Sequence, residues 1–194
     1  MYISSTLPYS LETLISYMAG YHQEIWPLQI VIFCLVFLAI WQIKQGWVSS
    51  GRLIGSVLTL FWWFVGYEFY WSSFSNISFI APYLGVMFMI EGLIIFYTGV
   101  YRNYLASPPF VFSKEKVTTG LLATPLLLYP ALVYVFTSAL NTLPYAGMTP
   151  FATSLLTLAI LYRIPASLKI KCLLNLIPVL HIILSLIFAC LLLL

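Results

Sequence analysis

The chain has 194 residues, 62% hydrophobic and 7% charged, with a mean hydropathy of +1.03 and a formal net charge of +3. A soluble domain carries about 25% charged residues, so there is too little charge here to cover a water-facing surface. That excludes an ordinary soluble domain and places the chain in the integral membrane class.

The N-terminal segment, residues 1–24, lacks a basic run before its first long apolar stretch, and that stretch is of spanning length. A secretory signal peptide is therefore not expected. Leu11, Leu14, Ile15, Met18, His22 and Ile25 recur at helical spacing, with Glu12, Thr13, Ser16 and Gln23 elsewhere around the turn and Ser10 as an N-cap. The pattern predicts a short amphipathic helix over 11–23, lying on the outer membrane surface. An extension of the first span, interrupted near Trp26-Pro27, is the alternative.

A spanning helix needs about 20 mostly apolar residues. Six stretches qualify, at about 25–43, 53–72, 79–101, 119–139, 148–162 and 173–194. The fifth is the shortest, and it must tilt, thin the bilayer or extend at its ends. The expected fold is all-α, a single membrane domain of six transmembrane helices preceded by the interfacial helix.

The connections set the orientation. Lys44 and Arg52 lie in 44–52. Arg102, Lys114, Glu115 and Lys116 lie in 102–118, and Arg163, Lys169 and Lys171 in 163–172. Segments 73–78 and 140–147 carry no charge. All eight basic side chains thus fall on one side of a six-span arrangement. The positive-inside rule puts that side in the cytoplasm and both termini outside. Trp26, Trp71 and Tyr145 fall near the outer edges, and Trp41, Trp47, Tyr101, Tyr104 and Tyr162 near the inner ones, as interfacial aromatics do. Trp62 and Trp63 lie deeper and read as packing anchors.

Gly85, Gly92 and Gly99 recur every seven residues along the third span, and Ala81 extends the stripe. Small residues let helices approach closely in lipid. Such a stripe serves close packing, a sliding surface, or docking of a second copy or another membrane protein. Pro130, well inside the fourth span, predicts a kink, and Pro178 sits in the sixth. A duplication of three spans is hinted at only by Pro27-Leu28 against Pro125-Leu126 and by Ala81-Pro82-Tyr83-Leu84 against Ile177-Pro178-Val179-Leu180.

Residues 87–96, MFMIEGLIIF, place Glu91 near mid-membrane, and His181 in the sixth span lies at a similar depth. A charge at the bilayer centre costs about 3 kcal/mol on insertion scales. Glu91 is therefore expected to be neutral or paired across helices. Two readings stand side by side. In one, Glu91 and His181 form a proton or cation relay. In the other, Glu91 is protonated and donates to a backbone carbonyl, while His181 satisfies the carbonyl freed by Pro178. Glu68, in GYEFYW, lies in the outer half of the second span with Tyr67 and Tyr70 nearby.

Other chemistry is sparse. Cys34, Cys172 and Cys190 are far apart and form no Cys-x-x-Cys pair. No HExxH, EF-hand or glycine-rich phosphate loop occurs, and the chain has no Asp. No metal, cofactor or catalytic constellation is expected. The basic loops suit topology and anionic headgroups but are too sparse for nucleic acid.

The stretch YPALVYVFTSALNTLPYAGMTPFATSLLTLAIL, then IPVLHIILSLIFACLLLL, with IWPLQIV and the FxxEGL pattern at Phe88–Leu93, resembles an uncharacterised family of small bacterial multi-pass membrane proteins, a domain-of-unknown-function family. In that family the start of the fifth span looks like Gly-x-x-Pro-Cys-Pro-Thr-Thr. Here Gly147, Pro150, Thr153, Thr157 and Leu158 match, Phe151 and Ala152 replace Cys and Pro, and Asn141 stands where His is expected. The resemblance implies the architecture and a bacterial cytoplasmic-membrane location, and it carries no activity. The leading functional reading is a small permease-like protein with a polar interior at Glu91. The alternative is an accessory subunit that packs through the glycine stripe. The lipid bilayer is the expected partner in both, and the substrate is unknown.

Overall fold

The computed structural model describes residues 11–45, 50–106, 115–139 and 142–193, and among them every regular element is helical. Ser10, Trp47, Lys114 and Asn141 lie outside the described residues. The helices are α1 (Leu11–Glu24), α2 (Trp26–Gln45), α3 (Ser50–Asn76), α4 (Ala81–Tyr101), α5 (Lys116–Thr137), α6 (Pro150–Arg163) and α7 (Leu168–Leu193).

α2, α3, α4, α5 and α7 are long and apolar enough to cross a membrane. Each coincides with an expected span to within a few residues. The fifth expected span is not among them: α6, at Pro150–Arg163, has 14 residues, about 21 Å of helix against a hydrocarbon core of about 30 Å. The cause lies in the chain before it. Residues 142–149 form no spanning helix, and Leu143, Ala146, Met148 and Thr149 are buried. Gly147 packs against Ile32 and Phe61. Ile32 is six residues into α2, so the turn before α6 sits about 9 Å along α2 from its N-terminal end. Irregular backbone is tolerated at such depth only when protein surrounds it and its polar groups are satisfied. Here Met148 and Thr149 N–H donate to the Tyr145 carbonyl, Gly147 N–H donates to Thr153 Oγ1, and the Met148 carbonyl accepts from Tyr21 Oη at 2.9 Å. Gly147 has φ +85°, and an added Cβ would lie 2.9 Å from Ile32 Cγ2. No other residue fits that turn without strain.

α6 is the centre of the bundle. Nine of its residues are buried, among them Thr153, Ser154 and Thr157. α2, α5 and α7 present apolar side chains outward, including Phe37, Val135, Phe136 and Leu176.

α3 and α4 form the closest pair. A Cβ on Gly55 would lie 2.8 Å from the Gly99 backbone, and one on Gly85 would lie 2.6 Å from the Gly66 carbonyl. The α4 stripe therefore faces α3, whose own glycines complete the seam. Thr59 Oγ1 donates to the Gly92 carbonyl at 3.4 Å and Trp63 Nε1 to the Met89 carbonyl at 3.1 Å across it. The stripe is consumed inside the chain, and Ala81 is fully buried, so this stripe offers no outward face.

Three of the long helices widen locally into π-helix, at Val65–Ser73, Phe96–Tyr101 and Thr124–Leu128. The last lies just before Pro130, and Tyr129 N–H reaches back to the Thr124 carbonyl. At Pro130 the structure thus has a widened turn, which accommodates the missing N–H. Pro178 is buried inside α7. Pro27 and Pro82 open their helices while Pro125 and Pro178 lie well inside theirs, so the two halves do not match as a duplication.

α1 has the expected face. Glu12, Thr13, Ser16 and Gln23 are exposed while Tyr21, His22 and Ile25 are buried. That face covers protein: Tyr17 meets Phe74 and Tyr21 meets Phe69 edge-on. Ile25 alone separates α1 from α2.

One end of the bundle gathers the described basic residues. Ile43, Ile54, Leu105, Thr118, Arg163 and Ile164 line one small cavity of about 10 Å³, room for a single water. Lys44, Arg52, Arg102, Lys116, Lys169 and Lys171 flank those positions in sequence.

Candidate functional site

Several buried polar side chains, Thr153, Ser154, Thr157 and His181 among them, converge where α3, α4, α6 and α7 meet. Thr149, Thr153 and Thr157 recur every four residues along α6 and its lead-in. Each donates back to the carbonyl four residues earlier, at 3.2, 2.7 and 2.9 Å. This is the usual way for a threonine to satisfy itself within a helix. Their oxygens remain acceptors, and Trp62 Nε1 donates to Thr157 Oγ1 at 2.9 Å. Trp62 is fully buried and stacks on Phe88 with ring centroids 4.3 Å apart.

His181 is 4% exposed and is held between two helices. Its Nε2 lies 2.6 Å from Tyr70 Oη and its Nδ1 lies 3.3 Å from Ser154 Oγ. A neutral ring protonated on Nδ1 satisfies both, accepting from the phenol and donating to the serine. Ser185 Oγ is a further neighbour of Nε2 at 3.5 Å. The expected partner, the carbonyl freed by Pro178, is therefore corrected to side chains on α3 and α6.

Glu91 is 0% exposed, and neither carboxyl oxygen has a hydrogen-bond partner among the described residues. The expected donation to a backbone carbonyl is absent. The antiparallel α3–α4 register puts Phe61, next to Trp62, near the level of Glu91, because Thr59 meets Gly92 and Trp63 meets Met89. One turn away on α4, Phe88 lies edge-on to His181 with centroids 4.9 Å apart. Glu91 and His181 thus occupy one interior, at adjacent levels, with no direct bond between them. Nearly all buried polar groups in proteins have a partner, which sets Glu91 apart from every neighbour described above.

Glu68 lies elsewhere. It is half-buried in the first π-helical stretch and faces α1. Burial pushes the Tyr21 phenol up from its ordinary pKa, and the nearby Glu68 carboxylate adds to the shift. Glu68 belongs to the docking of α1 and not to the polar interior. Pro130 is also outside it, while Pro178 lies in α7 one turn before His181.

At the basic end, Arg163 and Glu115 form a two-point pair, with Nε–Oε2 at 2.8 Å and Nη2–Oε1 at 3.1 Å. The Arg163 side chain is 8% exposed. The pair ties the end of α6 to the start of α5. Both residues read in sequence as loop charges, and nothing in their spacing joins them. The interior hydroxyls had a clearer signal. TPFATSLLT repeats threonine at four-residue spacing, which puts the three on one helical face. Trp62 read as a packing anchor and Tyr70 as a neighbour of Glu68, and only the fold supplies their partners Thr157 and His181.

Among the described residues no three of His, Cys, Asp and Glu gather into a metal-holding group. Residues 11–192 match the model of DUF6064, a family of unknown function. No curated protein and no solved structure matches the chain.

Proposed function

We propose, taking as premise that the chain belongs to DUF6064, a family of unknown function, that it is a multi-pass membrane protein whose packed interior carries a protonatable group, Glu91, used for proton exchange. The basic end faces the cytoplasm in this reading, by the positive-inside rule. The observation that carries the proposal is the burial of Glu91 with both oxygens unpartnered. An unpartnered acid in a membrane interior is costly, and such groups mark proton and ion pathways. The hydroxyl–imidazole–hydroxyl run Tyr70–His181–Ser154, one turn away, supplies groups that both accept and donate.

The test is flux. In vesicles holding a pH-sensitive dye, the wild-type protein should dissipate an imposed pH gradient. Glu91→Gln keeps size and polarity but cannot exchange a proton, and should abolish the flux. His181→Gln should slow it. Equal flux in wild type and Glu91→Gln removes the proposal.

A second reading is a membrane protein with a purely structural polar core, acting through a partner. It is favoured by tight packing, since the small cavity beside Arg163 does not reach Glu91. Under that reading no variant of Glu91 alters proton permeability.

A further inference from the structure

α2 and α3 diverge on the outside of the bundle and leave an open groove of about 450 Å³. Its walls are Leu35 and Leu38 on α2 and Leu60 on α3, and its end toward the basic side is Gln42, Arg52 and Ser56. The positions follow helical geometry. Gln42 is seven residues beyond Leu35, and Arg52 is eight residues before Leu60 on the antiparallel neighbour, so about 10–12 Å of apolar groove leads to one polar end. Leu60 and Arg52 are exposed. Among the described residues the one salt bridge is between Arg163 and Glu115, so no carboxylate neutralises Arg52.

We propose that this groove binds an anionic phospholipid from the leaflet at the basic end. An acyl chain lies between Leu38 and Leu60, and the headgroup phosphate sits on the Arg52 guanidinium with Gln42 as a further donor. Guanidinium–phosphate pairing is directional and two-pronged, and it supplies the charge complementarity that an ordinary lipid-facing surface lacks. The apolar length ahead of the arginine makes a whole lipid a better occupant than free phosphate.

The experiment is lipid retention by native mass spectrometry of the detergent-solubilised full chain. It compares phosphatidylglycerol with phosphatidylcholine of equal chain length, and inorganic phosphate alone. Preferential retention of phosphatidylglycerol is expected. Arg52→Gln should weaken it about fivefold, the scale of one basic contact at an anionic surface, and Arg52→Lys, which keeps the charge and loses the fork, should fall between wild type and Arg52→Gln. Leu60→Trp fills the groove and should reduce retention while leaving Arg52 in place. Leu132→Trp, on the exposed face of α5, should have no effect. Equal retention of the two lipids overturns the proposal, as does full retention in Arg52→Gln. Binding of inorganic phosphate as tight as that of the lipid would reassign the site to a free anion and equally overturn it.

Discussion

Glu91 is surrounded by side chains that offer it nothing. A buried polar group left unmade costs about 1–3 kcal/mol, and residues kept at such a cost are commonly functional. A stability measurement separates the two readings of this residue. Glu91→Met removes the unpartnered oxygens at similar volume and should raise the thermal midpoint in detergent, by an amount corresponding to about 1–3 kcal/mol. A fall in the midpoint would mean that the carboxyl group supports the fold. The place of Glu91 midway along an apolar helix was legible from the sequence, because counting along the helix is enough. Its lack of a partner was not, because that depends on which helices surround it and in what register. His181 illustrates the same limit. Its own helix suggested the carbonyl freed by Pro178, while the bundle supplies Tyr70 and Ser154 from two others.

Single helices were more readable than their neighbours. Length and hydropathy mark α2, α3, α4, α5 and α7, and the amphipathic pattern marks the buried face of α1. The short α6 was legible as the stretch at about 148–162; what eluded pattern reading was the buried, irregular lead-in behind which it begins. Proline and glycine at 147–150 signalled a turn, but not that the turn lies inside the bundle. The seam between α3 and α4 was half legible: the stripe on α4 stood out by its spacing, and the matching Gly55 and Gly66 on α3 did not. The lead-in gives the sharpest element-scale test. Gly147→Ala places a methyl group against Ile32 and Phe61 at a left-handed backbone position. Conformational strain of about 1–2 kcal/mol adds to overpacking of about 1–3 kcal/mol. Thermal unfolding should show a loss of that combined size. Gly120→Ala, where nothing lies within 4 Å, serves as the control and should not destabilise. Equal midpoints for the two variants would mean that the turn is not held as described.

Across the whole molecule, charge is sorted by end. Lys44 and Arg52, Arg102, and Arg163 come from three connections and lie toward one end of the bundle, where the Arg163–Glu115 pair closes the gap between α5 and α6. Sidedness is tested by cysteine labelling in a background with Cys34, Cys172 and Cys190 replaced by serine. Asn76→Cys, at the far end, should react with a membrane-impermeant maleimide added to intact cells. Ser167→Cys, at the basic end, should react only after permeabilisation. The reverse pattern would place the arginines outside and end the proposed orientation.

The brevity of α6 bears on how the chain is made. A helix of 14 residues carrying buried hydroxyls has little tendency to leave a translocon for lipid by itself. In a lipid setting its burial needs α3 and α5, made earlier, and α7, made last. Until the ribosome has delivered Leu168 onward, the segment that will become the centre of the bundle has one side uncovered. The cover of α6 is therefore complete only once α7 is in place, and a nascent chain cut short after Arg163 would present quality-control proteases with the very segment that the mature protein hides best.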